Sequence, residues 1–148
     1  MTEELHTGVL LFIASRAAEN RILTALHRAG YTDATVAQMR IAARIGPHGT
    51  RISDLAEQAQ VAKQTATALV DRLERAGWVQ RIPDPTDGRA RLVTAGPRAR
   101  EALPIVRAEE AAIEDEWTRH LGVRRMAQLR EALTILRQIT DPYQQPDD

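Results

Sequence analysis

Cysteine is absent from all 148 residues, which excludes disulfides, thiolate metal ligands, catalytic cysteines and thiol-based redox sensing. Aromatics are scarce at 3%: Phe12, Tyr31, Trp78, Trp117 and Tyr143. No apolar run approaches the ~20 residues needed to span a bilayer, and the acidic, His-containing N-terminus lacks a secretory-signal layout. A soluble, cytoplasmic chain with no membrane partner is the expectation. Net charge is lacking too, because twenty basic residues balance twenty acidic ones. Taken whole, that balance argues against a polycation that coats nucleic acid. His6, His27, His48 and His120 are far apart, and no phosphate loop, dinucleotide fingerprint or nucleophile motif occurs. Acidic runs such as Glu109-Glu110 and Glu114-Asp115-Glu116 sit at helical surface spacing. No enzyme activity, metal site or cofactor is expected.

What the chain does have is alanine, 24 residues of it, and arginine, which supplies nineteen of the twenty basic residues. Alanine is the strongest helix former. Lys63 is the sole lysine. The length suits one domain, able to bury roughly 68–70% of its unfolded surface.

Apolar residues at Leu5, Val9, Phe12, Ile13, Ala17, Leu23 and Leu26 keep a mostly 3–4-residue step, so residues 1–30 read as one long helix stopped by Gly30. Thr35-Val36-Ala37-Gln38 has capping-box spacing and opens a second helix, carrying Met39, Ile41, Ala42 and Ile45 and ending at Gly46-Pro47. Ser53 is placed to cap a short helix with Leu55, Ala56 and Ala59. A tight connection leads to another helix from Lys63 to Ala76, with Ala66, Leu69, Val70 and Leu73 inward and Gly77 as its stop. Two short helices so joined have helix-turn-helix spacing. Trp78–Ile82 and Arg89–Val93 then read as strands around a turn spanning Pro83–Gly88, a hairpin in the position of a wing. Pro97 begins a helix reaching about Leu121, with Pro104 expected to kink it. A last helix places Met126, Leu129, Leu133 and Leu136 in a narrow seam and stops at Asp141-Pro142. The fold class is mainly α with a small β-hairpin wing (α+β).

The zero charge is not uniform. Residues 1–45 carry +1, residues 46–98 carry +2 and residues 99–148 carry −3. Within residues 78–98, Arg81, Arg89, Arg91 and Arg98 face only Asp84 and Asp87. A cationic wing cancelled by anionic C-terminal helices suits a protein that grips phosphates with one face.

Ile52-Ser53-Asp54-Leu55-Ala56, the run from Thr65 to Val79, and the wing from Arg81 to Arg89 resemble the MarR family of winged helix-turn-helix regulators. An Asp-Pro pair followed by Asp-x-Arg, at this distance from a Leu-Glu-x-x-Gly helix end, is the specific part. The flanking helices match by pattern alone. Three departures stand out. Ala62 replaces the family's usual Ser or Thr cap, a loss of ~1 kcal/mol unless compensated. Ala95-Gly96 replaces Leu-Thr, removing the cap of the next helix. Gly88 stands where the family commonly has a second arginine.

The resemblance implies a DNA-binding lobe over residues 35–96, dimerisation helices over 1–30 and 97–141, and a polar tail over 142–148 in a single 148-residue domain. It implies a cytoplasmic, sequence-specific regulator of double-stranded DNA, acting as a repressor and as a homodimer on a pseudo-palindromic operator. The helix from Lys63 to Ala76 would enter the major groove by its N-terminal end, where the dipole favours phosphate. Gln64 suits adenine and Ala68 a thymine methyl, while Arg72 suits a guanine edge or a phosphate. Paired with Glu74, Arg72 is instead a plain surface arginine. Thr65 is assigned a phosphate. Ser53 and Thr67 complete the helical set of contacts. At the wing, Arg89 is the candidate minor-groove probe, Asp87 orients it or another wing arginine, and Arg91 contacts backbone. A small aromatic or anionic effector would meet His27, Tyr31 and Met39. The competing reading is a winged-helix protein-interaction module without DNA binding, which the two missing caps favour.

Overall fold

In the computed structural model, residues 4–143 are described, and the elements run α1 (Thr7–Arg28), α2 (Val36–Ala42), β1 (Thr50–Arg51), α3 (Ile52–Ala59), α4 (Lys63–Arg75), β2 (Val79–Asp84), β3 (Asp87–Ala95), α5 (Pro97–Leu121) and α6 (Val123–Thr140). The expected class, mainly helical with a small β wing, is what the chain builds. Residues 1–3 of the expected first helix and 144–148 of the expected tail lie outside the described residues. The chain divides into two compact units between Glu109 and Glu110.

In the first unit, local chemistry sets the helix ends. α1 starts later than its periodicity suggested, because the His6 ring Nδ1 accepts the Gly8 amide at 3.0 Å and fixes the cap there. At its other end Gly30 has φ 101°, and the Gly30 and Tyr31 amides donate back to the His27 and Leu26 carbonyls, a Schellman ending that favours glycine. Thr35 and Gln38 form the expected capping box. α2 ends at Ala42, short of Ile45, which packs on the core from outside the helix. Ser53 does not cap α3: Arg51 holds that position without a side-chain cap bond, and Ser53 is exposed within the helix. Gln60, at φ 54°, turns the chain from α3 into α4.

Ile41, Leu55, Val70, Leu73, Val79 and Val93 make the core of the helix-turn-helix and sheet. A second buried cluster joins Leu26, Ala34 and Ala102, and Trp78 packs against both. At ~1.5–3 kcal/mol per buried Leu or Val, this burial outweighs any single cap. The sheet has the order β1-β3-β2 and is antiparallel, with Thr50 opposite Val93 and Gln80 opposite Thr94. The two-residue strand β1 was not legible in the sequence. The wing turn is also tighter than expected: β2 continues through Pro83 to Asp84, leaving Pro85-Thr86 as the loop. Pro83 is tolerated because β2 is an edge strand.

The expected loss of a cap at Gly96 is corrected by the structure. The Arg98 amide, in the first turn of α5, donates to the Gly77 carbonyl at 3.0 Å, and the Gly96 amide donates to Trp78 O at 2.9 Å. A Cβ at position 96 would overlap the Gly77 oxygen and lie 2.8 Å from Val79 N. Glycine is there for close approach, and a carbonyl does the work of a capping hydroxyl. α5 is assigned without a break through Pro104.

In the second unit α5 ends and α6 begins around Gly122, at φ 87°, with Ile113 and Met126 buried. Glu114 and Arg130 pair at 2.8 Å. The seam is only partly covered: Leu133 and Leu136 are exposed, and so are Ile135 and Ile139 outside it. In the first unit Val9, Leu10, Phe12 and Ile13 on α1 are exposed as well. No described helix is long and apolar enough to cross a membrane.

Ala62 caps α4 with no side-chain bond, in an extended backbone conformation that serine accepts. Ala62→Ser is therefore expected to raise unfolding stability by about 1 kcal/mol, whereas Gly96→Ala should lower it by about 1–3 kcal/mol. Urea midpoints of the two variants check both signs.

Candidate nucleic-acid interface

The inward stripe of α4 is buried or half-buried, which leaves Gln64, Ala68 and Arg72 exposed one above the other at four-residue steps. Lys63 and Thr65 are exposed at the start of the helix. Thr67 is half-buried, and its hydroxyl donates to Lys63 O at 2.8 Å, leaving it only acceptor capacity toward a ligand. Arg72 does not pair with Glu74, whose carboxylate is taken by Arg81. Ser53 is exposed at the start of α3.

On the wing, Asp87, Arg89 and Arg91 are exposed and alternate along one face of β3. Asp87 accepts the Arg89 backbone amide at 3.1 Å, so it shapes the strand and does not hold a guanidinium. The carboxylate that does hold an arginine is Asp84, which the site reading missed. Asp84 is buried at the wing turn, its Oδ1 accepting the Thr86 hydroxyl at 2.7 Å and the Thr86 amide at 2.8 Å. Its Oδ2 accepts Nη2 and Nε of Arg51 at 2.7 and 3.1 Å. The Thr86 bonds first, then Arg51, outweigh burial and pull this carboxyl down to about 2. The Asp-Pro-Thr turn was a usable signal for Asp84, because such side chains bond the backbone two residues on. Nothing local pointed to Arg51, thirty-three positions away. The pair ties the wing to the start of α3.

Two other arginines counted as wing cations are neutralised internally, which corrects the sequence reading of this face. Arg81 meets Asp71 at 2.5 Å and Glu74 at 2.8 Å. Arg98 makes a forked pair with Asp33 at 2.6 and 2.7 Å. Lys63, Arg72, Arg89 and Arg91 have no ion-pair partner among the described residues.

The candidate effector residues are already engaged. The His27 ring Nε2 lies 2.8 Å from Ala34 O, Tyr31 packs against Trp78 with centroids 5.6 Å apart, and Met39 packs on the Leu26 cluster. They do not line the open polar cleft of about 490 Å³ between Asn20, Arg21, Thr24, Ala25, Arg28 and Glu109.

Two short helices around a tight turn, followed by a clamped antiparallel hairpin, define a winged helix-turn-helix. Residues 29–90 match the MarR family. The transcriptional activatory protein BadR of Rhodopseudomonas palustris is 31% identical over 101 residues, 68% of this chain and 57% of BadR. The chain thus spans little more than half the length of that relative. A crystal structure of MarR superposes with a TM-score of 0.70 at 25% identity, covering 93% of this chain and 92% of the other. The regulator Tm0710 of Thermotoga maritima gives 0.62 at 26% identity, covering 90% and 93%. Over residues 29–90 the chain matches the MarR family of winged helix-turn-helix transcriptional regulators, and it shares their fold.

Asp84 has a depressed carboxyl value in the folded state, so its contribution is complete above the ordinary value of 3.8 and disappears as pH falls through about 2. Urea titrations of wild type and Asp84→Asn across pH should show a stability gap that closes over that window and stays constant above it.

Proposed function

We propose that this protein is a sequence-specific regulator of transcription that binds double-stranded DNA as a homodimer, acting as a repressor by occupying a pseudo-palindromic operator. The observation that carries the reading is the charge left over after internal pairing. Arg51, Arg81 and Arg98 are committed to carboxylates, while Lys63, Arg72, Arg89 and Arg91, on α4 and the wing, have no carboxylate partner among the described residues. A protein with no net charge that keeps such cations beside exposed Gln64 and Ala68 is suited to read bases on one face only.

In this reading the N-terminal turn of α4 enters the major groove. Lys63 and Thr65 meet phosphate, and Gln64, Thr67, Ala68 and Arg72 reach the base edges. Ser53 contacts the backbone from α3. Arg89 probes the minor groove, with Asp87 shaping its strand and Arg91 on the phosphates. BadR is named an activatory protein; the same grip on DNA serves either sign, which is set by where the operator lies relative to the promoter. The DNA-binding lobe is assigned to residues 35–96 and dimerisation to residues 1–30 and 97–141. Correction of the Gly96 cap removes one of the two features that favoured a protein-interaction module.

Release by a small aromatic or anionic effector near His27, Tyr31 and Met39 belongs to the same proposal. Such a ligand has to displace the His27–Ala34 bond or the Tyr31–Trp78 contact. Breaking either alters the connection between α1 and α2.

Dimerisation is supported by apolar side chains without cover: Phe12 on α1 is 57% exposed and Ile139 on α6 is 83% exposed. Two lobes would then address half-sites about 34–36 Å apart. Sedimentation at micromolar concentration is expected to give twice the 16.5 kDa chain mass; a monomer removes the dimer from the proposal.

Duplexes selected from a random pool test the DNA reading. If the dimer neutralises ~6–10 phosphates, affinity falls ~10³–10⁵-fold between about 50 and 200 mM salt. Arg89→Ala is expected to weaken binding and relax A·T preference, and unchanged affinity and selectivity would take Arg89 out of the interface.

A further inference from the structure

We infer that Asp33 and Arg98, with Trp78 and Tyr31, form a joint that sets the orientation of α4 for DNA binding, and that Arg98 is a positioning residue and not a phosphate contact. The inference rests on the proposed DNA-binding reading.

The geometry converges on one place. The Arg98 guanidinium lies 4.8 Å from the Trp78 ring centroid and 5.5 Å from that of Tyr31, distances at which ring faces attract a cation. Its two terminal nitrogens grip the two oxygens of Asp33 at 2.6 and 2.7 Å. The Trp78 indole N–H donates to the same carboxylate at 3.2 Å. Tyr31 and Asp33 lie just beyond the end of α1, and Arg98 lies in the first turn of α5.

Trp78 is the residue through which these groups reach α4. Its amide donates to Leu73 O at 2.9 Å and closes the C-terminal cap of that helix, with Gly77 at φ 82°. Its carbonyl accepts the Gly96 amide, and the Arg98 amide holds the Gly77 carbonyl. Arg98 Nη1 also donates to Ala76 O at 3.5 Å. The residues that close α4, Ala76 to Trp78, are therefore held by backbone from the β3–α5 junction and by one side chain anchored to the α1–α2 connection. Trp78 packs on both buried clusters, so a shift of its ring is felt by the core under α4 and by the core beside α1. A guanidinium suits this work because a planar fork stacks and chelates at once; an ammonium does neither.

The two roles for Arg98 predict opposite signs. If it were a phosphate contact, Asp33→Asn would free a cation and remove an anion, so DNA binding would tighten. Arg98→Lys would preserve that contact. In the joint, both changes lower affinity for the selected duplex by about tenfold, within the range of coupling between distinct sites. The salt slope stays at the wild-type value because no phosphate contact is lost. Binding to non-specific duplex is unchanged, which separates misorientation from a smaller folded fraction.

Native-state hydrogen exchange supplies a readout independent of DNA. Both variants should speed exchange at the Trp78, Gly96 and Arg98 amides while leaving α6 protected. Should Arg98→Lys fail to fold, Asp33→Asn, which keeps side-chain volume and a neutral acceptor, carries both measurements. Tighter binding by Asp33→Asn, a reduced salt slope for Arg98→Lys, or unaltered exchange at the three amides would overturn the joint. A wild-type protein that binds no selected duplex overturns the DNA reading and the positioning role built on it.

Discussion

Gly96 lies against the Gly77 carbonyl at a spacing that leaves no room for a side chain, and its amide donates to the oxygen of Trp78. At that contact the end of α4, the start of β2, the end of β3 and the start of α5 come together. Elements joined through bonded backbone in close contact have little freedom to slide, because any shift breaks hydrogen bonds around the buried Gly96. The Leu55–Val70–Leu73–Val93 core stabilises the lobe, but core packing tolerates adjustment. The backbone contact fixes where the two ends of the wing hairpin leave and rejoin the helices.

Charge follows the same logic. A formal total of zero says little about binding when pairing is selective. Asp84, Asp71, Glu74 and Asp33 are each spent on an arginine that holds one element to another. What remains on α4 and the wing is cationic without increasing the net charge. Exposed ion pairs contribute little stability. Asp84 differs because it is buried and also accepts two bonds from Thr86, so it holds the wing turn in one shape.

Much of this was legible in the residues. The Thr35–Gln38 box, the Gly30 and Gly77 stops, the inward stripe of α4 and the existence of the hairpin follow from local rules of capping and periodicity. Ser53 looked like a cap, but α3 starts earlier, at Ile52, and Arg51 holds that position. Gly96 looked like a lost cap, and Arg81 and Arg98 looked like free wing cations. For these three the deciding partner lies on another element: Gly77 for the start of α5, Asp71 and Glu74 for Arg81, and Asp33 for Arg98. The strand β1 was invisible because two residues carry no period.

The sequence by itself determined the helices, the turn between α3 and α4, the resemblance to the MarR family and the absence of thiol chemistry, since these depend on residue type and short-range spacing. Only the tertiary structure decided which arginines of α4 and the wing hold one element to another and which have no carboxylate partner among the described residues. It also decided why position 96 is glycine and what holds the end of α4. Those are properties of pairs brought together by folding, and a hydrogen bond or ion pair exists only at the distance the fold supplies.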